Sequence, residues 1–427
     1  MKFGNMLFAV SLLIIVSCTN STSPETENDY DIIWAKQNSP IFIDSCFIVQ
    51  ENEVLKIEAG VEVKFQSSIA DSTNLIDFNY ATLNVGMLLV NGQIKAIGTE
   101  NDSIVFTNNE DTDQSKWGII LLNNNNNNIF NYCKIENSNQ INNIIINNNL
   151  SDSLSFYGGI SLFQSSATIE NCKVVNNGTG IYCRDNSNPF ITNNNISNNR
   201  RGISCWVNSS PFIKNNNFYN NDSFAITGTN SSPTINNNHF ENNNIQILFK
   251  VSNPIIINNQ FLNGGGGLFF SGSSNPIIVN NVIDTHGIGI GFQSDCNGLV
   301  LNNNVINNST SGIDFRNNSN PIIANTIIWG NGEAFRFYEF DNPNNPEISY
   351  SLVQDSVLFQ DFSNLGNNLL NTNPLFIDEG NSNYNLSSES PCINAGSTSF
   401  DEIPETDLNG DSRISGDSID IGAYEFQ

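Results

Sequence analysis

Residues 189–210 read PFITNNNISNNRRGISCWVNSS, and the next unit, 211–232, reads PFIKNNNFYNNDSFAITGTNSS. Each unit carries a proline, a short alternating segment, an asparagine cluster, further short apolar segments and a closing Asn/Ser turn. The same frame returns at Pro233, Pro254, Pro276 and Pro321, with Gly298 in the vacant step. The step into Pro254 is one position short and the step into Pro321 one position long; the others are equal. A fixed period of this length, about 22 residues, is the mark of a solenoid. Segments of three to five alternating residues are too short for helices and match half-buried strands. Three such strands per unit make one coil, and coils stacked about 4.8 Å apart pair every strand with its copy. In-register stacking predicts aliphatic columns of Ile191, Ile213, Ile235 and Ile257, and of Ile181, Ile203, Leu268, Ile290 and Ile313. The asparagine clusters, such as Asn193–Asn195, Asn215–Asn217 and Asn236–Asn238, predict a structural ladder. Asparagine tolerates the left-handed backbone of a sharp turn, and stacked amides bond to their copies above and below.

Working outward, the first residues join Lys2 to an apolar run from Met6 to Val16, followed by Ser17 and Cys18. That is the order of a secretory signal, and it is too short to span a bilayer stably. The stretch Ile15-Val16-Ser17-Cys18 resembles the lipobox of bacterial lipoproteins, which implies cleavage before Cys18 and lipidation of that residue. A multiply acylated cysteine would anchor stably. The expected location is the cell envelope, at the outer membrane or cell surface, with residues 19–30 as a flexible tether. A net charge of −26 with 16 Lys plus Arg excludes nucleic acid as a partner, whose binding rests on phosphate neutralisation, and disfavours unassisted binding of polyuronates.

The proline-to-asparagine repeat resembles the right-handed parallel β-helix repeats of the pectate-lyase-like superfamily, closely over about 160–350 and more loosely over 50–160. The tail, with "NPLFID" at 373–378, "SPCINAG" at 390–396 and "DLNGDSRISGDSIDIGAYEFQ" at 407–427, resembles the segment called the choice-of-anchor Q domain. The resemblance implies an all-β, single-stranded β-helix with one repeat unit per coil. On this reading residues 31–160 form an N-terminal cap and irregular first coils, 161–350 the regular coils, and 351–427 the last coil and a C-terminal cap. Solenoid ends need covering, and residues 31–60 and 370–427 are the candidates. The Asn- and Ser-rich stretch between Asn137 and Phe156 is expected to loop out of one coil, as a binding element or as a neutral insertion.

Cys183 and Cys205 stand one repeat apart at the same repeat position, and Cys133 and Cys172 stack likewise if the insertion loops out. Export permits disulfides, yet adjacent parallel strands place equivalent cysteines poorly for them, so stacked thiols are favoured. Residues flanking the inward column, namely Tyr182, Arg184, Trp206, Phe249, Phe269 and Arg316, would form a lateral face with spaced aromatics. Flat rings suit the C–H faces of sugars, and the expected partner is a polysaccharide or another surface component. Covering of the rings by a loop is the alternative.

Hydrolysis would need converging carboxylates. Asp185, Asp222, Asp284, Asp295 and Asp314 occupy different repeat positions, so no catalytic residues are assigned. The rival reading is a polysaccharide lyase or glycoside hydrolase on the same scaffold, with Arg200 and Arg201 beside Asp185 and Asp222 as its best candidates. A spacer without ligand is a third. No cofactor is expected, apart from calcium at Asp407, Asn409 and Asp411. Their alternate spacing suits oxygen ligation, but Ser412 and Ser418 depart from an EF-hand loop and a capping turn explains the run as well.

Overall fold

The computed structural model describes residues 30–69, 85–110, 115–145, 153–338, 343–356 and 362–427. Cys18, the signal segment and the tether up to residue 29 lie outside the described residues, as does the tip of the insertion. The coil beginning at Pro189 shows how sequence becomes structure. Its strands are Phe190–Thr192, Asn195–Ser197 and Arg201–Trp206, and each pairs in parallel with its copies in the coils before and after. Stacked, these strands form three parallel sheets, here called A, B and C, of 14, 14 and 12 strands. The chain is thus an all-β, right-handed parallel β-helix whose coil is the sequence repeat of about 22 residues.

The core is a set of single-residue columns. In sheet A, Ile191, Ile213, Ile235, Ile256 and Ile278 are in register and fully buried. In sheet B, the Phe218, Phe240 and Phe261 rings stack at 4.6 and 4.5 Å. In sheet C, Ile181, Ile203, Ile226, Ile247, Leu268, Ile290 and Ile313 form one column. Two expectations fail in one place. Ile256, not Ile257, completes the sheet A column, and Phe249, with Ile247 two residues before it, points inward rather than out. The short step of the coil from Pro233 falls after its third strand and displaces only the sheet A residue, since a slip of one residue exchanges the faces of a strand. Ile247 and Phe249 stand as far after Pro233 as the inward Ile203 and Cys205 do after Pro189, so the repeat spacing itself places them inside. Phe249 fits inside because Gly228 stands before it in the column; a Cβ there would lie 2.5 Å from the Phe249 ring.

The corners are held by polar ladders, three of them rather than the one expected. At the A-to-B corner, Asn216 accepts bonds from the backbone N–H and side-chain amide of Asn194, both at 2.9 Å, and donates to Ile191 O, Lys214 O and Asn238 Oδ1. The residue before each ladder asparagine, as at Asn193, Asn215 and Asn237, has φ of 57°, 56° and 53°, the left-handed conformation that asparagine tolerates. At the B-to-C corner, Asn177, Asn199, Asn221 and Asn243 repeat the device. At the C-to-A corner, Ser165, Ser187 and Ser209 do so with hydroxyls. Buried backbone groups that bend away from the sheets are thereby satisfied. Cys183 and Cys205 stack in register inside sheet C, and all seven described cysteines are free thiols.

The ends depart from the expected plan. Ile32–Trp34, Ile41–Ile43 and Cys46–Val49 are the first rungs of the three sheets rather than a separate cap. At the far end Phe362 packs on Phe315, Phe335 and Phe337 at 5.8, 4.6 and 5.3 Å. The tail from about 373 does not close the end of the solenoid. It lies along the side, where Tyr384, Leu386, Ile421 and Ala423 cover the outward Val282, Ile306, Ile327 and Leu352 of sheet B. Phe400 and Ile403 likewise cover Val279, Leu301 and Ala324 of sheet A. These outward positions are apolar because they face a second layer, which the repeat pattern alone does not reveal.

Candidate functional site

The tail covers the outer faces of sheets A and B over the later coils, and sheet C lies on the remaining side of the solenoid. Each of its six-residue strands presents three side chains outward, for example Arg201, Ser204 and Trp206, in register with Phe224, Thr227 and Thr229, and then with Ile245, Leu248 and Lys250. Of the six residues expected on this face, Tyr182, Arg184, Trp206, Phe269 and Arg316 do project outward. Phe249 is the exception noted above, and Leu248 and Lys250 take its place. Trp206 and Phe269 are half-buried, with their rings partly open.

The insertion divides the face. Gln140–Ile145 and Ser153–Tyr157 pair as an antiparallel hairpin whose foot lies on sheet C. Phe156 meets Phe163 and Tyr182 edge-on at 5.7 and 6.4 Å, and Tyr157 meets Tyr182 at 5.3 Å. Tyr182 is therefore only 3% exposed, and burial raises its phenol pKa. Covering by the insertion was the alternative for these rings, and at Tyr182 it holds. From the coil of Trp206 onward the face is open.

In the open half Phe269 forms the floor of a depression of about 260 Å³, bounded by Ile245, Leu248, Gly291 and Arg316. The ring lies flat because its neighbours lack side chains: a Cβ on Gly266 or Gly291 would come within 2.6 or 2.7 Å of it. Beyond it, Arg316 Nη2 contacts Asp314 Oδ2 at 3.1 Å, while its guanidinium stacks on Tyr338 at 4.1 Å. Asp314 is 1% exposed and also accepts from Ser311 Oγ. Arg336 pairs with Glu333 and also lies over Tyr338, at 5.3 Å. At the other end, Arg184 Nε pairs with Asp185 Oδ2 at 3.0 Å.

Five of the six arginines of this acidic chain thus lie on or beside sheet C: Arg184, Arg200, Arg201, Arg316 and Arg336. The sequence places Arg184, Arg316 and Arg336 on one face beside the inward column; Arg201, at the first position of its strand, was missed. The signal was present, because all four fall in the third segment of a coil. Arg200 and Arg201 line a pocket of about 230 Å³ with Tyr157 and Thr179. Among the described residues, neither forms an ion pair with Asp185 or Asp222.

The tail run Asp407-Leu408-Asn409-Gly410-Asp411 is a turn in which Asp407 is buried and Asn409 and Asp411 are exposed. Asp407 Oδ1 accepts from the N–H groups of Asn409 and Asp411 at 2.8 and 2.9 Å, and Oδ2 accepts from Glu425 N at 2.9 Å. Asp407 is 2% exposed with both oxygens turned to backbone, and Asn409 Nδ2 donates to Asn385 Oδ1. Asp407 thus serves the turn with both of its oxygens, and among the described residues no three His, Cys, Asp or Glu side chains gather as a metal site. A groove of about 630 Å³ follows the B-to-C corner past Asp222, Asn244 and Gly264. There Gly264 replaces a ladder asparagine, and Gln246 bridges the gap by accepting from Asn243 Nδ2 at 2.8 Å and meeting His286 Nε2 at 3.2 Å.

No curated protein matches the chain. Among solved structures it is similar to pectate lyase Pel9A, with 14% identity over 89% of each chain and a TM-score of 0.44. It is also similar to the periplasmic alginate epimerase AlgG, with 12% identity over 73% of this chain and 77% of that one and a TM-score of 0.43. The catalytic domain of a GH87 alpha-1,3-glucanase is similar at 15% identity, over 74% and 64% of the two chains, with a TM-score of 0.35. The family model described as "Right handed beta helix region" matches residues 136–261 and 246–388, more than half of the chain. With coils, registers and ladders of the kind described, the chain belongs to the right-handed β-helix family.

Proposed function

We propose that this chain is a cell-envelope lipoprotein, anchored through Cys18, that binds polysaccharide along the open half of sheet C without cleaving it. The observation that carries the reading is the gathering of half-exposed aromatics and arginines on one sheet face. The half-open Trp206 and Phe269 rings offer flat apolar surface for the C–H faces of sugars, and the arginine forks beside them donate to hydroxyls and acidic groups. A hydrolase would need two carboxylates facing each other across the bound sugar, roughly 5–9.5 Å apart. Asp314, the acidic group at the depression, is instead buried and tied to Arg316 and Ser311.

Affinity electrophoresis of the soluble protein from residue 19 onward, through gels carrying different polysaccharides, tests the reading. Retardation by at least one polysaccharide is expected, with intact glycan recovered. Phe269→Ala should weaken binding by about tenfold, the usual effect of removing a central aromatic anchor. Shortened or unsaturated products would replace the reading with that of a hydrolase or lyase. Fractionation of cells expressing the full chain tests the anchor: C18A should move the protein from the membrane fraction to the soluble one.

A further inference from the structure

Four of the six arginines have a carboxylate of their own: Arg184 has Asp185, Arg316 has Asp314, Arg336 has Glu333 and Arg413 has Glu425. Among the described residues the two without one are neighbours in sequence, Arg200 and Arg201. Arg200 is exposed, whereas Arg201 is half-buried and its enclosed Nε has no hydrogen-bond partner. Burial, and then the adjacent Arg200 charge, both lower the Arg201 pKa. Two adjacent cations with an unsatisfied donor are unfavourable by themselves. In a chain with 42 acidic residues their isolation from carboxylates calls for an anion from outside.

The position of the pair narrows what that anion is carried on. Their pocket is shared with Tyr157, at the foot of the insertion hairpin, and Tyr157 packs on Tyr182. Sheet C is covered as far as the coil of Tyr182 and open from the coil of Trp206, so a chain lying along the open face meets the hairpin here. We propose that the pocket of Tyr157, Arg200 and Arg201 is an oxyanion site that holds the carboxylate or sulfate of a sugar at the end of the bound glycan. This rests on the glycan-binding reading and deepens it. An arginine fork matches either group with two parallel hydrogen bonds, which gives directional as well as electrostatic selection.

Calorimetry on the protein from residue 19 onward, with oligosaccharides of equal length, tests the assignment. One set is neutral. Two carry a single charged sugar at a chain end, a uronate in one and a sulfated sugar in the other, and a further set carries the charged sugar in the interior. At least one end-charged set is expected to bind about tenfold more tightly than the neutral set, the scale of one hydrogen bond to a charged group. R200Q and R201Q should abolish that preference, bringing the end-charged sets to the affinity of the neutral set, whereas F269A should weaken every set together and keep the ratio between them. Arg200 is exposed, so R200Q keeps the fold even if R201Q does not. Equal affinity for neutral and end-charged sets, or a preference for interior charge, overturns the pocket assignment and leaves the glycan-binding face standing. Binding of no oligosaccharide at all overturns both.

Discussion

A ladder asparagine such as Asn216 makes five hydrogen bonds through its side chain while fully buried, so its amide is worth more to the fold than any single contact suggests. Asn216→Ala leaves the Asn194 N–H and two carbonyls short of partners. It should destabilise the protein by about 2–4 kcal/mol, read from urea unfolding. Asn215→Ala, one residue earlier at φ 56°, should cost about 1–2 kcal/mol from backbone strain alone, and Asn215→Gly much less. His286 occupies a ladder position at the B-to-C corner, where burial pushes its pKa down to about 4 from 6.5. Folding thus favours the neutral ring, a contribution present above pH 6.5 and lost as pH falls through about 4. His286→Asn should shrink the loss of melting temperature between pH 7.5 and 4.5. The ladder was legible at this scale because asparagine recurs at fixed offsets. The inward place of Phe249 was legible too, because it stands as far after Pro233 as the inward Cys205 does after Pro189.

At the scale of elements, sheet C shows how an open face is shaped by what its neighbours omit. Gly266 and Gly291 let Phe269 lie flat, so Gly291→Ala should tilt the ring, narrow the depression and lower polysaccharide retention while the far-UV circular dichroism stays unchanged. Three short strands per coil and their parallel pairing could be read from the proline spacing, as could the outward placing of Trp206, Phe269 and Arg316. The cover over Tyr182 could not be fixed from the repeat, since the insertion breaks it and makes its contact with the following coil. The lateral seat of the tail was equally hidden. Val282 and Leu352 read as ordinary strand residues until Tyr384 and Leu386 are seen against them.

For the whole molecule, that tail is a second layer fastened by charge as well as by apolar contact. Arg413, Asp407, Asp420 and Glu425 are each 4% exposed or less, with three carboxylates facing one guanidinium. Burial pushes Glu425 up to about 7 from 4.5, helped by Asp420, and Asp420 is itself raised by burial. Folding therefore favours the protonated Glu425, a contribution complete below pH 4.5 and lost as pH rises through about 7. Protease cleavage within residues 373–427, normalised to the free peptide of the same sequence, should be faster at pH 8 than at pH 5. Removing that segment should expose the apolar faces of sheets A and B and increase binding of a hydrophobic dye.

The tail touches the coils from Ile257 and Leu262 to Leu352, and the hairpin root lies at the coils of Tyr182 and Arg201, which leaves the two coils beginning at Pro211 and Pro233 bound only to their neighbours. A coil joined to its neighbours by equivalent strand pairs can be gained or lost by unequal recombination at the level of the gene, without unsettling either fixture. Each such event would change the separation between the paired arginines and the Phe269 depression by one rung, about 4.8 Å. The length of ligand that fits between them is therefore a heritable quantity, adjustable in whole steps by copying DNA rather than by redesigning a pocket.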